Sequence, residues 1–353
     1  MNIGSARLAS QHIARPSAES PAEVVRWLGA VQAQDFLGAL WAIGLRTKGA
    51  TEASVEAAIE RREIVRTWPM RGTLHFVAAE DARWMTRLLT PRVIAGARSR
   101  YRQLGIDDAV FARSARAAER ALAGGKRLRR DVLYGVWNDA GIVTDGSRGL
   151  HLLGYLAQTG VLCFGHRDGK QHTVALLDEW LPAARELERD EALGELARRY
   201  FTSHGPATAQ DFAWWSGLTV TEARLGIDGA RTALVSEKIG ARTFWLAPSG
   251  PTRASGAAYL LPAWDEFTVA YRDRTDILDP KFATRVNAGG GVLKPVIIRR
   301  GRVIGTWQRT IERRGVVVRP TFFARADRTD RAAIEAAARK YARFLGVPAK
   351  VGH

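Results

Sequence analysis

The stretch Ile64-Val65-Arg66-Thr67-Trp68-Pro69-Met70-Arg71-Gly72-Thr73-Leu74-His75-Phe76-Val77 decides the fold. Two β-rich runs, Ile64 to Trp68 and Thr73 to Val77, meet around Arg71-Gly72, as in a tight hairpin. Three helical segments precede it. Ser20-Pro21-Ala22-Glu23 is a compact helix start, with Ser20 as N-cap, Pro21 at the first helical position and Glu23 in the capping-box place. Val24, Val25, Leu28 and Val31 then recur at helical spacing. Asp35 can cap a second helix from Phe36 to about Arg46, and Thr51 a third to about Arg62. Helices followed by a two-stranded ribbon outline a winged helix-turn-helix.

The outline returns twice downstream. Helices over Arg130 to Ala140 and Ser147 to Thr159 precede strands Val161 to Phe164 and Gln171 to Leu176, which flank a turn at Asp168-Gly169. Thr208 to Ser216 and Thr221 to Gly229 precede Ala233 to Lys238 and Arg242 to Leu246, around Gly240. The last third differs. Tyr259 to Pro262, Leu293 to Arg299, Val303 to Gln308 and Val316 to Arg319 read as strands, and Asp330 to Leu345 as a closing helix. The expected class is α+β: tandem winged helix-turn-helix modules over 1–100, 101–185 and 186–255, then a β-rich element over 256–353.

Charge points to a polyanion. Lys and Arg number 53 against 36 Asp and Glu, a formal balance of +17 over 353 residues. From Arg83 to Arg130 there are thirteen basic residues against three acids, and from Arg285 to Arg325 ten against one. Between Asp178 and Arg199, seven acids outnumber four arginines, so the charge is segregated. Cys163 is the single cysteine, which excludes an internal disulfide and a Cys-rich metal site. The N-terminus lacks a signal-peptide core and no run is long and apolar enough to span a membrane, so a cytoplasmic address is expected.

Several chemistries fall away on spacing. Asn287-Ala288-Gly289-Gly290-Gly291 lacks the Lys-Ser or Lys-Thr of a phosphate loop and reads as a hairpin turn. His166 and His172 have no third ligand partner, and no nucleophile elbow is present. Asp265-Glu266 alone is too little to nominate a carboxylate pair. Neither metal nor cofactor is expected. Val31-Gln32-Ala33-Gln34-Asp35 is different, because two glutamines stand where the apolar helix runs out. Two residues apart, they face different sides of a helix but one side of an extended segment. Spacing alone favours ordinary solvated glutamines, with the second reading a pair of amides converging on one water, accepting from it and donating to it.

Four segments taken together resemble the AlkZ and YcaQ family of bacterial DNA glycosylases: Gln32-Ala33-Gln34-Asp35; Thr67-Trp68-Pro69-Met70-Arg71-Gly72-Thr73-Leu74-His75; Leu260-Leu261-Pro262-Ala263-Trp264-Asp265-Glu266-Phe267 with Tyr271-Arg272-Asp273-Arg274; and Gly305-Thr306-Trp307. The resemblance implies winged-helix modules forming a C-shaped cleft around duplex DNA. It also implies hydrolysis of the N-glycosidic bond of N7-alkylated purines, including bulky adducts and interstrand crosslinks. The family motif has Gln first and Gln or Asp third. Gln34 therefore looks like the AlkZ-like branch, whose characterised members protect antibiotic producers from their own DNA-alkylating products.

On that resemblance Gln32 and Gln34 are the catalytic candidates, placing water against an oxocarbenium-like sugar, and Asp35 could add negative charge or act as a base, although the capping of its helix is the favoured role. An N7-alkylated guanine leaves as a neutral base, so the site needs no strong acid. Before Lys126 the chain holds only Lys48, which argues against a Schiff-base lysine beside the glutamines and for a monofunctional enzyme. Arg71, His75, Lys294, Arg299, Arg300 and Arg302 are the candidate contacts to double-stranded DNA, while Trp68 and Trp307 read as core. A monomer without a membrane partner is expected. The rival readings are a winged-helix transcription regulator and a non-catalytic DNA-binding protein, both of which bind without releasing a base.

Overall fold

The computed structural model describes residues 2–181, 184–248, 256–289 and 291–352 of a mixed α+β chain. It divides into two compact units, one formed by Met1–Val55 with Leu193–His353 and the other by Glu56–Ala192. No helix among the described residues is long and apolar enough to cross a membrane.

In the Glu56–Ala192 unit, the opening stretch is a hairpin of strands Ile64–Met70 and Thr73–Ala78. Met70 pairs with Thr73 across Arg71 and Gly72, whose φ values of 52° and 69° give the turn type whose twist suits a two-residue corner. The strands of this unit run in the order Thr73–Ala78, Ile64–Met70, Leu162–Phe164, Thr173–Leu176, Leu128–Arg129. Trp68 is core: it belongs to the buried cluster that includes Leu133, Trp137, Leu152 and Leu156, with its ring 5.2 Å from that of Phe164. The helices Arg130–Asp139 and Arg148–Gln158 lie close to their expected limits. Two more were not anticipated, Ala82–Gln103 and Asp108–Leu122, and they carry most of the first basic stretch.

In the other unit, five strands run in the order Ala349–Val351, Gly315–Phe322, Arg302–Glu312, Val296–Arg299, Ala258–Leu261. All these pairs are antiparallel except the first, which is parallel. Trp307 is buried and its Nε1 donates to the Leu261 carbonyl at 2.8 Å. The closing helix Arg328–Leu345 meets the Phe36–Arg46 helix, where Trp41 lies against Tyr341 and Phe344 at 5.0 and 5.1 Å. Gly44 makes that approach possible, since a β-carbon there would stand 2.2 Å from the Phe344 ring. The helices Ala209–Ser216 and Val220–Gly229 both open on complete capping boxes, Thr208 with Asp211 and Thr219 with Glu222, and a hairpin of Val235–Ile239 and Arg242–Leu246 follows. The glycine-rich turn closes through Ala288 N–H to the Val292 carbonyl at 2.8 Å. Gly290 within it lies outside the described residues.

The helix that follows Ser20 starts where expected, with Ser20 as N-cap and Pro21 first, but its capping partner and its C-terminal end differ. Ser20 Oγ accepts from the Glu23 N–H at 3.3 Å, but the Glu23 carboxylate takes the Glu19 N–H at 2.8 Å, one residue before the expected partner. The helix spans Pro21–Leu28 and stops at Gly29, whose φ of 79° suits a residue without a β-carbon. Val31, expected on the helix, instead lies with Gln32 in a short extended strand, Val31–Gln32.

Candidate functional site

The glutamine segment is therefore extended at Gln32, bounded by the Gly29 bend and by the Phe36–Arg46 helix. Gln32 is buried, 8% exposed, whereas Gln34 is exposed. Asp35 occupies the N-cap position with extended backbone, yet its side chain makes no capping hydrogen bond, contrary to the capping expectation. Its carboxylate lies over the first helical turn, where a β-carbon on Gly38 would stand 2.6 Å from Oδ2.

A buried carboxylate distant in sequence holds the segment's backbone. The Gln32 N–H donates to Glu266 Oε1 at 2.8 Å, and the Trp215 indole N–H donates to Oε2 at 2.9 Å. His204 Nε2 stands 3.5 Å from the same Oε2. Glu266, Trp215 and His204 are all fully buried. Burial lowers the His204 pKa, and the Glu266 carboxylate pulls the other way without prevailing. The imidazole is stacked on Tyr200 with ring centres 4.9 Å apart, and the Tyr200 hydroxyl donates to the Ala270 carbonyl at 2.7 Å.

The preceding residue holds a second anchor. Asp265 caps the short Glu266–Val269 helix by accepting from the Phe267 N–H at 2.9 Å, and it receives both Nη groups of Arg46. Arg46 also donates to the Gln11 carbonyl at 3.0 Å and to Gln11 Oε1 at 2.8 Å. Gln11 in turn donates to the Tyr271 hydroxyl at 3.0 Å, which donates to the His204 carbonyl at 2.8 Å. Buried charges persist where each is paired or hydrogen-bonded in this way. Neither Arg46, His204 nor Trp215 was nominated from sequence, and Asp265-Glu266 was set aside. The available signal was two acids inside the largely apolar run Tyr259 to Tyr271.

The candidate DNA contacts fall into different environments. Arg71 leaves the hairpin turn with its Nη2 3.3 Å from His75 Nε2, while His75 Nδ1 lies 2.9 Å from the Thr73 carbonyl. Nδ1 therefore carries the proton and Nε2 faces the arginine. His75 is fully buried, which makes it a brace for Arg71 rather than a group that reaches solvent. Lys294, Arg300 and Arg302 are exposed, but Arg299 is 9% exposed and bonded to Asp330 and Thr329. Arg300 and Gly301 form a second arginine–glycine corner, with φ values of 50° and 77° between the paired residues Arg299 and Arg302. The corner sits so near the Ile3–Ser10 helix that a β-carbon on Gly301 would be 2.4 Å from the Ser5 nitrogen. In the Glu56–Ala192 unit, Arg92, Arg98, Arg100, Arg102, Arg113 and Arg116 all face solvent.

Known proteins bear on this arrangement. The model of a family described as DNA glycosylase AlkZ-like matches residues 25–344. The chain is 26% identical, over an alignment of 371 residues, to the Interstrand DNA cross-link repair glycosylase of Streptomyces sahachiroi, covering 97% of this chain and 95% of that protein. The solved structure of Streptomyces sahachiroi DNA glycosylase AlkZ matches with a TM-score of 0.82 at 24% identity, covering 99% of this chain and 98% of the other, which establishes a shared fold.

Proposed function

The chain belongs to the DNA glycosylase AlkZ-like family, and from that premise we propose that it is a monofunctional glycosylase hydrolysing the N-glycosidic bond of N7-alkylated purines in duplex DNA. Bulky adducts and interstrand crosslinks fall within the proposed range, in keeping with the name of the Streptomyces sahachiroi relative. The same chemistry serves general repair and self-resistance to alkylating antibiotics. The enzyme acts as a cytoplasmic monomer, and the repeated helix pairs with their hairpins serve as winged-helix DNA-binding modules.

The observation that carries this reading is the backbone of Gln32, which lies in the short extended strand and is pinned at 2.8 Å by a buried carboxylate, with the exposed Gln34 two residues on, where the chain bends. Rigid placement is what the reaction needs. The C1′–N9 bond breaks with its electron pair moving into the cationic purine, which departs neutral. A water held between amide oxygen and amide N–H adds to C1′ and gives its proton to solvent. Asp35 lends negative charge beside the cationic sugar, and Lys294, Arg300, Arg302 and Arg71 hold phosphates.

The test is a duplex with a single N7-methylguanine, a bulky N7 adduct or an N7 crosslink, assayed for alkali-labile breaks. Release from at least one substrate is expected. Q32A and Q34A should each lose about 100-fold in single-turnover rate, about 2.7 kcal/mol of transition-state stabilisation, with lesion binding kept within about threefold. Binding of all three without release, the behaviour of a regulator or scaffold, would sink the reading.

A further inference from the structure

We propose that Glu266 is the positioning residue for Gln32, a role that rests on the catalytic assignment of Gln32 made above. Asp265 and Glu266 take hold of the glutamine segment on both sides. Glu266 accepts the Gln32 backbone N–H at 2.8 Å, and Asp265 receives Arg46 from the last turn of the helix that begins directly after the segment. The two acids are consecutive and share one short helix, so any shift of that helix would be transmitted to both sides.

The carboxylate itself is fixed from a third direction. Trp215 donates to its second oxygen at 2.9 Å, and this indole also packs under the bend that sets the segment's start, 3.5 Å from where a Gly29 β-carbon would be. Both oxygens of Glu266 therefore act as acceptors. Such charge-assisted bonds are shorter and stronger than neutral ones, which is how one carboxylate can define the position of a peptide unit. A glutamine at 266 has a single acceptor oxygen and an NH2 group. It can serve Gln32 or Trp215, but its NH2 then opposes the N–H of the other.

The experiment uses the full-length protein and a duplex bearing one N7-methylguanine, reading single-turnover excision rate and lesion-duplex Kd separately, with thermal midpoints as a fold check. E266Q should lose 10- to 100-fold in rate with Kd changed less than threefold. E266D, which keeps the charge but shortens the reach, should fall between wild type and E266Q. E266Q should cost less on the Q32A background than on wild type, because part of its effect passes through the Gln32 side chain. A wild-type rate in E266Q overturns the proposal, as does an equal loss from E266Q with and without Gln32. Should E266Q fail to fold, E266D carries the same decision: a wild-type rate, or a loss undiminished on Q32A, overturns the role. A wild-type rate in Q32A itself overturns the site assignment, an outcome distinct from a failure of Glu266 alone.

Discussion

Arg46 grips both carboxylate oxygens of Asp265, at 2.9 and 2.8 Å, with both side chains sealed from solvent. Removing one partner leaves an uncompensated buried charge, which costs about 3–5 kcal/mol. Arg46→Met should therefore lower the urea midpoint steeply, whereas the double variant Arg46→Met with Asp265→Asn should recover a large part of the loss. A single variant as stable as wild type would show that the pair is not buried in solution.

Arg299 and its neighbours should behave as two classes. Arg300→Ala and Arg302→Ala each remove an exposed charge from one corner, and each is expected to reduce the slope of log K against log salt by about 0.9. Arg299→Ala breaks the contacts to Asp330 and Thr329, so its effect should appear as lower stability at an unchanged salt slope. Titrating a DNA duplex at several salt concentrations, beside a melt of each variant, separates the two. A salt slope that changes for Arg299→Ala as it does for the others would refute the division.

Stability should decline in mild acid. His12, His151, His166, His172 and His204 all have lowered pKa values, with burial the largest cause in each, and His172 is brought down to about 4. A histidine depressed in the folded state binds fewer protons there than in the unfolded chain. Its contribution is present above the unfolded pKa near 6.5 and is lost as pH falls from there toward the folded value. Urea midpoints measured at pH 7.5, 6 and 4.5 should fall in that order, and His172→Gln should flatten the fall. Equal midpoints across the series would contradict the burial of these rings.

Excision should leave no trapped enzyme. Lys340 has its pKa lowered to about 8, chiefly by burial, the condition under which a lysine becomes a nucleophile near neutral pH. Its Nζ, however, donates to the Leu45 carbonyl at 3.0 Å, at the opposite end of the Phe36–Arg46 helix from Asp35. A rise of 1.5 Å per residue puts those ends about 15 Å apart. Borohydride treatment during turnover is expected to give no covalent protein–DNA band, with Lys340→Met cutting lesions at an unchanged rate. A trapped band that disappears in Lys340→Met would overturn the monofunctional assignment.

Local patterns carried most of the elements. Arg71-Gly72, Asp168-Gly169 and Gly240 each marked a hairpin, because backbone conformations at positive φ advertise themselves through glycine. Thr208 announced its helix start through its own side chain, whereas the next helix, read from Thr221, is capped two residues earlier by Thr219. The Ala82–Gln103 helix stayed hidden, since its buried residues Trp84, Met85 and Leu89 cluster in the first turns and the rest reads as charge interrupted by Pro91. The Pro21–Leu28 helix was drawn too long because Val31 kept the apolar spacing, although Gly29 was the stronger signal. At the site, the glutamines were visible by resemblance. Glu266 was not, because a contact across the chain leaves no trace in residue spacing, and two adjacent acids point to opposite tasks only once Arg46 and Trp215 are in place.

The hydrogen bond from Gln32 to Glu266 spans 234 residues. A ribosome adding roughly 5–20 residues per second needs on the order of 10–50 s to deliver the second partner after the first has emerged. During that interval the nascent chain carries the glutamine motif without its Glu266 contact. A product ending before residue 266 has both glutamines but lacks Glu266, so on the proposed reading the contact that orients Gln32 forms only after most of the chain has been made.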